Sequence, residues 1–186
     1  MSDEKTIYPT YAKVIHLGLA FLGIAAFLTG ELAEDGGASL GYLLHSYLGL
    51  SLASIVLIRI LIGFTSSQIL SFKGWSPFSK QQWKFAIEDL YTLISLKIPE
   101  RDSHQGLAGL THAFGLSVFL WMSFTGTALF ILGPGVESDV YELVEEIHEV
   151  GESLIPLFLA LHLGAVLLHT VCGKAIWKRM FNFKSN

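Results

Sequence analysis

Cysteine is nearly absent: Cys172 is the single one in 186 residues, so no disulfide can form within the chain. Charge is scarce as well, with 15% Asp, Glu, Lys and Arg against 52% hydrophobic residues. With a mean hydropathy of +0.53, that balance excludes an ordinary soluble domain. There is no internal repeat, no low-complexity tract and nothing that suggests nucleic-acid binding. Cations are missing from two of the three connections between the apolar runs, and that absence orients the molecule.

Four long apolar runs are present, at about 11–29, 40–64, 107–132 and 153–172. Each holds roughly the 20 residues that cross ~30 Å of hydrocarbon as a helix. The chain therefore reads as an all-α membrane protein, a single domain over 1–186 with transmembrane helices at about 11–30, 40–64, 107–132 and 138–172. The twelve Lys and Arg fall in three places. Lys5 and Lys13 lie at the N-terminus, Arg59, Lys73, Lys80, Lys84, Lys97 and Arg101 at or after the second run, and Lys174, Lys178, Arg179 and Lys184 at the end. The other two connections carry Glu31, Glu34 and Asp35, then Glu137, Asp139, Glu142, Glu145, Glu146, Glu149 and Glu152. The positive-inside rule then puts both termini and the long middle loop in the cytoplasm. The location expected is the bacterial inner membrane, with two acidic faces outside. The formal charge of −4 conceals this polarity.

The first run is expected to stay as a helix and not be cleaved as a signal peptide, because it is long for an h-region and contains His16. The middle loop, about 65–106, is too long to be structureless. Ser76 and Pro77 can start a helix, and Trp83, Ile87, Leu90, Tyr91 and Ile94 recur at helical spacing while Lys80 and Lys84 fall on the polar side. This predicts a short amphipathic helix along the cytoplasmic lipid interface.

Seven histidines are present: His16, His45, His104, His112, His148, His162 and His169. Only His104 lies clearly in a loop. Imidazole is costly to bury in lipid without a partner, so the other six ask for a function. His148 and His162 are fourteen residues apart, which returns them to within about 40° of one helix face, roughly 21 Å apart along the axis. His16 lies near the cytoplasmic start of the first helix and His45 near the outer start of the second, so these two also occupy two depths. One level can pair His45 with His148. For the other, His16 lies about 13 Å deeper than His45, while His162 and His169 lie about 21 and 32 Å below His148. The shallower His162 fits better with His16, although His169 shares its face.

Two bis-histidine levels in a four-helix bundle are what two b-type haems require. No CxxCH exists, so any haem would be held non-covalently by axial ligands. Small residues flank these positions: Gly18, Gly23, Gly49, Gly115, Gly126, Gly151 and Gly164. They suit either a porphyrin between helices or close helix packing.

"IHLGLAFLGIAAFLTG", "LLHSYLGLSLASIVLIRILIGF", "GLTHAFGLSVFLWMSFTG" and "IHEVGESLIPLFLALHLGAVLLH" resemble the four helices of the prokaryotic cytochrome b561 family, related to the cytochrome b subunit of nickel-iron hydrogenases. The most specific parts are His45 followed by Arg59 and the histidine triplet His148, His162 and His169. The resemblance implies ligation by His45 with His148 and by His16 with His162. "RILIGF" leading into "HQGLAGL" looks closer to the hydrogenase-type branch.

Arg59 lies on the His45 face, about 21 Å nearer the cytoplasm, where it either neutralises a haem propionate or snorkels to the interface. His112 and His169 lie near the cytoplasmic side. As similar positions in the family suggest, they border a quinone; the alternative is bonding to backbone or propionates. "HEVGE" begins like a zinc-protease HExxH, but Glu152 stands where the second histidine would be.

The expected function is electron transfer across the membrane between a periplasmic redox protein, a cytochrome c or hydrogenase-like subunit, and the quinone pool. Some relatives are instead superoxide:ubiquinone oxidoreductases. The ten acids of the outer faces would repel superoxide and attract a basic protein, which favours the partnered carrier. A histidine-lined proton or metal channel is the remaining alternative.

Overall fold

The structure is a computed structural model that describes residues 8–33, 39–65, 70–99, 101, 104–134 and 138–183. Lys5, Glu34, Asp35, Glu137 and Lys184, used in the charge argument, lie outside these residues. No strand occurs among the described residues. Four helices are long and apolar enough to cross a membrane: α1 (Thr10–Leu28), α2 (Leu40–Gly63), α4 (Gly106–Leu132) and α5 (Asp139–Val171). Between α2 and α4 lies α3 (Lys80–Ile94), and the chain ends in a single turn, α6 (Lys178–Phe181). The spans begin and end within two residues of the apolar runs, except that α5 extends through the acidic stretch before its run.

Local chemistry explains these limits. Ser39 accepts the Tyr42 amide at 3.0 Å and Ser138 accepts the Tyr141 amide at 3.2 Å, each an N-cap that satisfies an otherwise orphaned donor. Asp139 and Glu142 in the first turn of α5 also complement the positive end of its dipole. Gly133 after α4 and Gly173 after α5 have φ of +86° and +83°, the left-handed closing conformation that glycine adopts without steric cost. Large apolar side chains such as Phe21, Phe124, Ile131 and Leu167 remain exposed along the spans. In a membrane protein these are lipid-facing.

The chain divides into two compact units. The first takes the described residues of Met1–Val14, Leu61–Phe114 and Phe158–Asn186, and the second takes Ile15–Ile60 and Gly115–Leu157. In the first, Tyr8, Ala12 and Leu70 form a buried cluster with Ile62 and Met180 against it. Lys13 is buried there, and its Nζ donates to the Asn182 carbonyl at 2.7 Å. The buried apolar residues of the second are Ala26, Leu52, Val56, Val118, Phe119 and Ile155.

Helix α3 is the expected amphipathic helix, but it starts at Lys80 after the N-cap Ser79, not at Ser76 and Pro77. Its apolar row of Trp83, Ile87, Leu90, Tyr91 and Ile94 is exposed, whereas Gln82, Ala86 and Asp89 are buried. Gln82 Nε2 donates to the carbonyls of His104 and Gly106 at 3.3 and 3.0 Å. Asp89 accepts the Leu107 amide at 2.9 Å, capping the start of α4 from another helix, and accepts from Arg101 Nε with its second oxygen. That hydrogen bond raises the Arg101 guanidinium above its ordinary value, and Glu88 adds a second contact at 2.8 Å. The inward row of α3 thus holds the first turn of α4.

Asp89→Ala removes the acceptor for a part-buried amide and the partner of Arg101, which is expected to destabilise the protein by about 1–3 kcal/mol. Thermal unfolding of the purified protein in detergent should show the lowered midpoint, and an unchanged midpoint would refute the capping role.

Candidate functional site

Two of the predicted site residues meet in the second unit. His45 on α2 and His148 on α5 have ring centroids 6.3 Å apart with planes at 89°. Each ring is held through Nδ1. His45 Nδ1 donates to the Ala26 carbonyl of α1 at 3.0 Å, and since a carbonyl can only accept, that nitrogen carries the proton. His148 Nδ1 lies 2.7 Å from the Thr125 hydroxyl of α4. Thr125 directs its own hydroxyl hydrogen to the Trp121 carbonyl at 2.9 Å, leaving its oxygen to accept from His148. In both rings Nε2 keeps the lone pair.

Close approach of α4 and α5 makes this possible. The Trp121 indole donates to the Ile147 carbonyl at 2.9 Å, one residue before His148. A Cβ at Gly151 would come within 2.6 Å of Met122 Sδ and 3.0 Å of Trp121, so a larger residue there would require those side chains to shift. Both histidines line a cavity that also includes Gly49, Ser123 and Gly126. A Cβ at Gly49 would meet nothing within 4 Å, and the buried Ser123 hydroxyl has no hydrogen-bond partner. The same cavity is bordered by Glu31, Glu145, Glu149 and Glu152, so its polar rim is anionic.

The remaining histidines are distributed between the units. His16, on α1, and Arg59, on α2, belong to the second unit, where Arg59 is buried with 8% of its surface exposed. His112, His162 and His169 belong to the first. There the His162 ring stacks on Phe158 at 5.6 Å and meets His112 edge-on at 5.6 Å. His112 in turn touches His104 at 4.9 Å, and His104 stacks on Trp75 at 5.5 Å. The Nδ1 atoms of His112 and His169 are satisfied within their own helices, by the carbonyls of Ala108 at 2.7 Å and Ala165 at 3.0 Å.

The family model for prokaryotic cytochrome b561 matches residues 7–183. The chain belongs to that family. No curated protein and no solved structure matches it. It is accordingly a multi-pass membrane cytochrome of the b type, an electron-transfer protein that binds haem b.

The second unit of this cytochrome suits that cofactor. Haem iron takes imidazole nitrogens as ligands, and His45 and His148, whose ring centres lie 6.3 Å apart, are the pair that would hold it. Their Nδ1 hydrogen bonds fix the tautomer that leaves Nε2 available to a metal, the usual arrangement for ligating histidines. The open space at Gly49 and the unpartnered Ser123 hydroxyl lie on the same cavity.

Sequence reasoning missed three participants. The Ala26 carbonyl leaves no sequence signal because it belongs to the backbone. Thr125 carries a faint one, as a hydroxyl beside Gly126 in an apolar helix. His104 was read only as a loop residue, yet it is buried at a turn with φ of +67° and packs against His112.

Gly49→Leu places a side chain in the open part of this cavity and is expected to remove roughly half or more of the haem per protein. The haem-to-protein absorbance ratio after purification measures this, and undiminished haem would exclude Gly49 from the binding space.

Proposed function

We propose that this cytochrome carries electrons across the bacterial inner membrane, on two non-covalent haems b, between a basic periplasmic redox protein and the quinone pool. The observation that carries the reading is the His45–His148 pair, whose ring centres lie 6.3 Å apart and whose Nδ1 atoms are hydrogen-bonded as those of axial ligands would be. Haem, when bound, supplies a one-electron couple whose potential the protein tunes through ligation, burial and nearby charge.

His45 and His148 hold the outer haem. The inner pair, His16 with His162, rests on the helical depth count and on the resemblance to the family. Arg59, buried in an apolar helix, is the cation assigned to a haem propionate. His112 and His169 are assigned to the quinone. In His169, Nδ1 donates to the Ala165 carbonyl, so Nε2 is the nitrogen turned to accept, which suits the hydroxyl of a quinol. Donation to a quinone carbonyl would need a second proton on the ring.

The distribution of Lys and Arg supports termini on the cytoplasmic side and acidic faces outside. The carboxylates of Glu145, Glu149 and Glu152 border the His45–His148 cavity, so the partner favoured there is cationic, such as a basic cytochrome c or a hydrogenase-type subunit.

Reduced-minus-oxidised spectra of the purified protein are expected to show a b-type alpha band and about two haems per chain. His148→Ala and His162→Ala should each remove one haem and His169→Ala neither; loss with His169→Ala but not His162→Ala would reassign the inner ligand. Superoxide mixed with the oxidised protein in a stopped-flow instrument should be consumed no faster than by spontaneous dismutation. Rapid haem-dependent consumption would favour a superoxide:ubiquinone oxidoreductase instead.

A further inference from the structure

The two rings of the His45–His148 pair are anchored differently. His45 donates to a peptide carbonyl, which no substitution at Ala26 removes. His148 donates to a side-chain hydroxyl, and Thr125 is buried, with 7% of its surface exposed. Water is therefore a poor substitute for that hydroxyl. The neighbouring Trp121 indole holds the α5 backbone at Ile147, so α4 grips both the backbone beside the ligand and its ring.

We infer that Thr125 is a positioning residue that sets the orientation of His148 and the redox potential of the haem it binds. The inference rests on the assignment of His148 as an axial ligand. A hydrogen bond accepted from Nδ1–H increases the electron donation of the opposite nitrogen. Greater donation stabilises ferric over ferrous iron and lowers the potential. Thr125 has a dependent acceptor strength, because its hydroxyl also donates to the Trp121 carbonyl and is polarised by doing so. Valine has the same shape and keeps the β-branch, but accepts no hydrogen bond.

The test is a spectroelectrochemical titration of purified full-length holoprotein, with low-temperature electron paramagnetic resonance of the ferric form. Thr125→Val is expected to retain its haem while one midpoint potential rises, the ferric/ferrous equilibrium moving about tenfold toward ferrous, or about 59 mV for one electron. The low-spin ferric signal of the same haem should shift with it. Thr125→Ser, which restores the hydroxyl, should return both readouts to wild type. If Thr125→Val does not accumulate, Thr125→Ala supports the same comparison with a strong helix former. Wild-type potentials and spectra in the variant lacking the hydroxyl would overturn the inference, as would an equal shift in Thr125→Ser. His148→Ala separates the two levels of the argument. Loss of one haem supports the ligand assignment, whereas retention of all haem overturns both that assignment and the inference.

Discussion

An imidazole in an apolar phase has two nitrogens to satisfy, and the rest of the second unit follows from how that demand is met. For His45 and His148, both of which line the cavity, the protein satisfies Nδ1 and keeps the lone pair on Nε2. Reaching Nδ1 of His148 requires α4 to lie close to α5, which the absence of a side chain at Gly151 permits. Reaching Nδ1 of His45 requires the last turn of α1 to present the Ala26 carbonyl. Thr29 contributes there by returning its hydroxyl to the Ala25 and Ala26 carbonyls at 2.9 and 3.0 Å. Positions in four helices are thus constrained by two hydrogen bonds.

The first unit meets the same demand differently. His112 and His169 turn Nδ1 onto carbonyls of their own helices, so those hydrogen bonds require no neighbouring element. His112 is instead confined by ring contacts with His104 and His162. His104 is confined by Trp75 and Tyr8, and Gln82 of α3 holds its carbonyl. Packing of aromatic faces replaces directional bonding as the means of placing the rings.

The spans were readable from the sequence because hydrocarbon thickness sets a minimum length for an uninterrupted apolar helix. The His45–His148 meeting was readable because helical rise converts spacing into depth. Helix α3 was legible as amphipathic, but the role of its buried face was not. A soluble protein would bury Trp83, Ile87 and Leu90; here they are exposed, and the polar residues Gln82 and Asp89 turn inward to bind backbone. Periodicity identifies such faces without saying which medium each will meet. The partners of Nδ1 were hidden for another reason: one is main chain, and the other is one of several threonines in α4 that periodicity cannot distinguish.

Helix α5 has 33 residues, about 50 Å of helix against roughly 30 Å of hydrocarbon. The helix starts with Asp139, Glu142, Glu145 and Glu146, exposed ahead of His148, and carboxylates outside a span avoid the desolvation cost they would incur within it. Charges so placed act through solvent, over a screening length of about 10 Å at 0.1 M salt. The helix that holds His148 at the cavity therefore also carries a field that dissolved electrolyte can weaken without touching the buried hydrogen bonds. Encounter and internal electron transfer become separately adjustable properties of one continuous element.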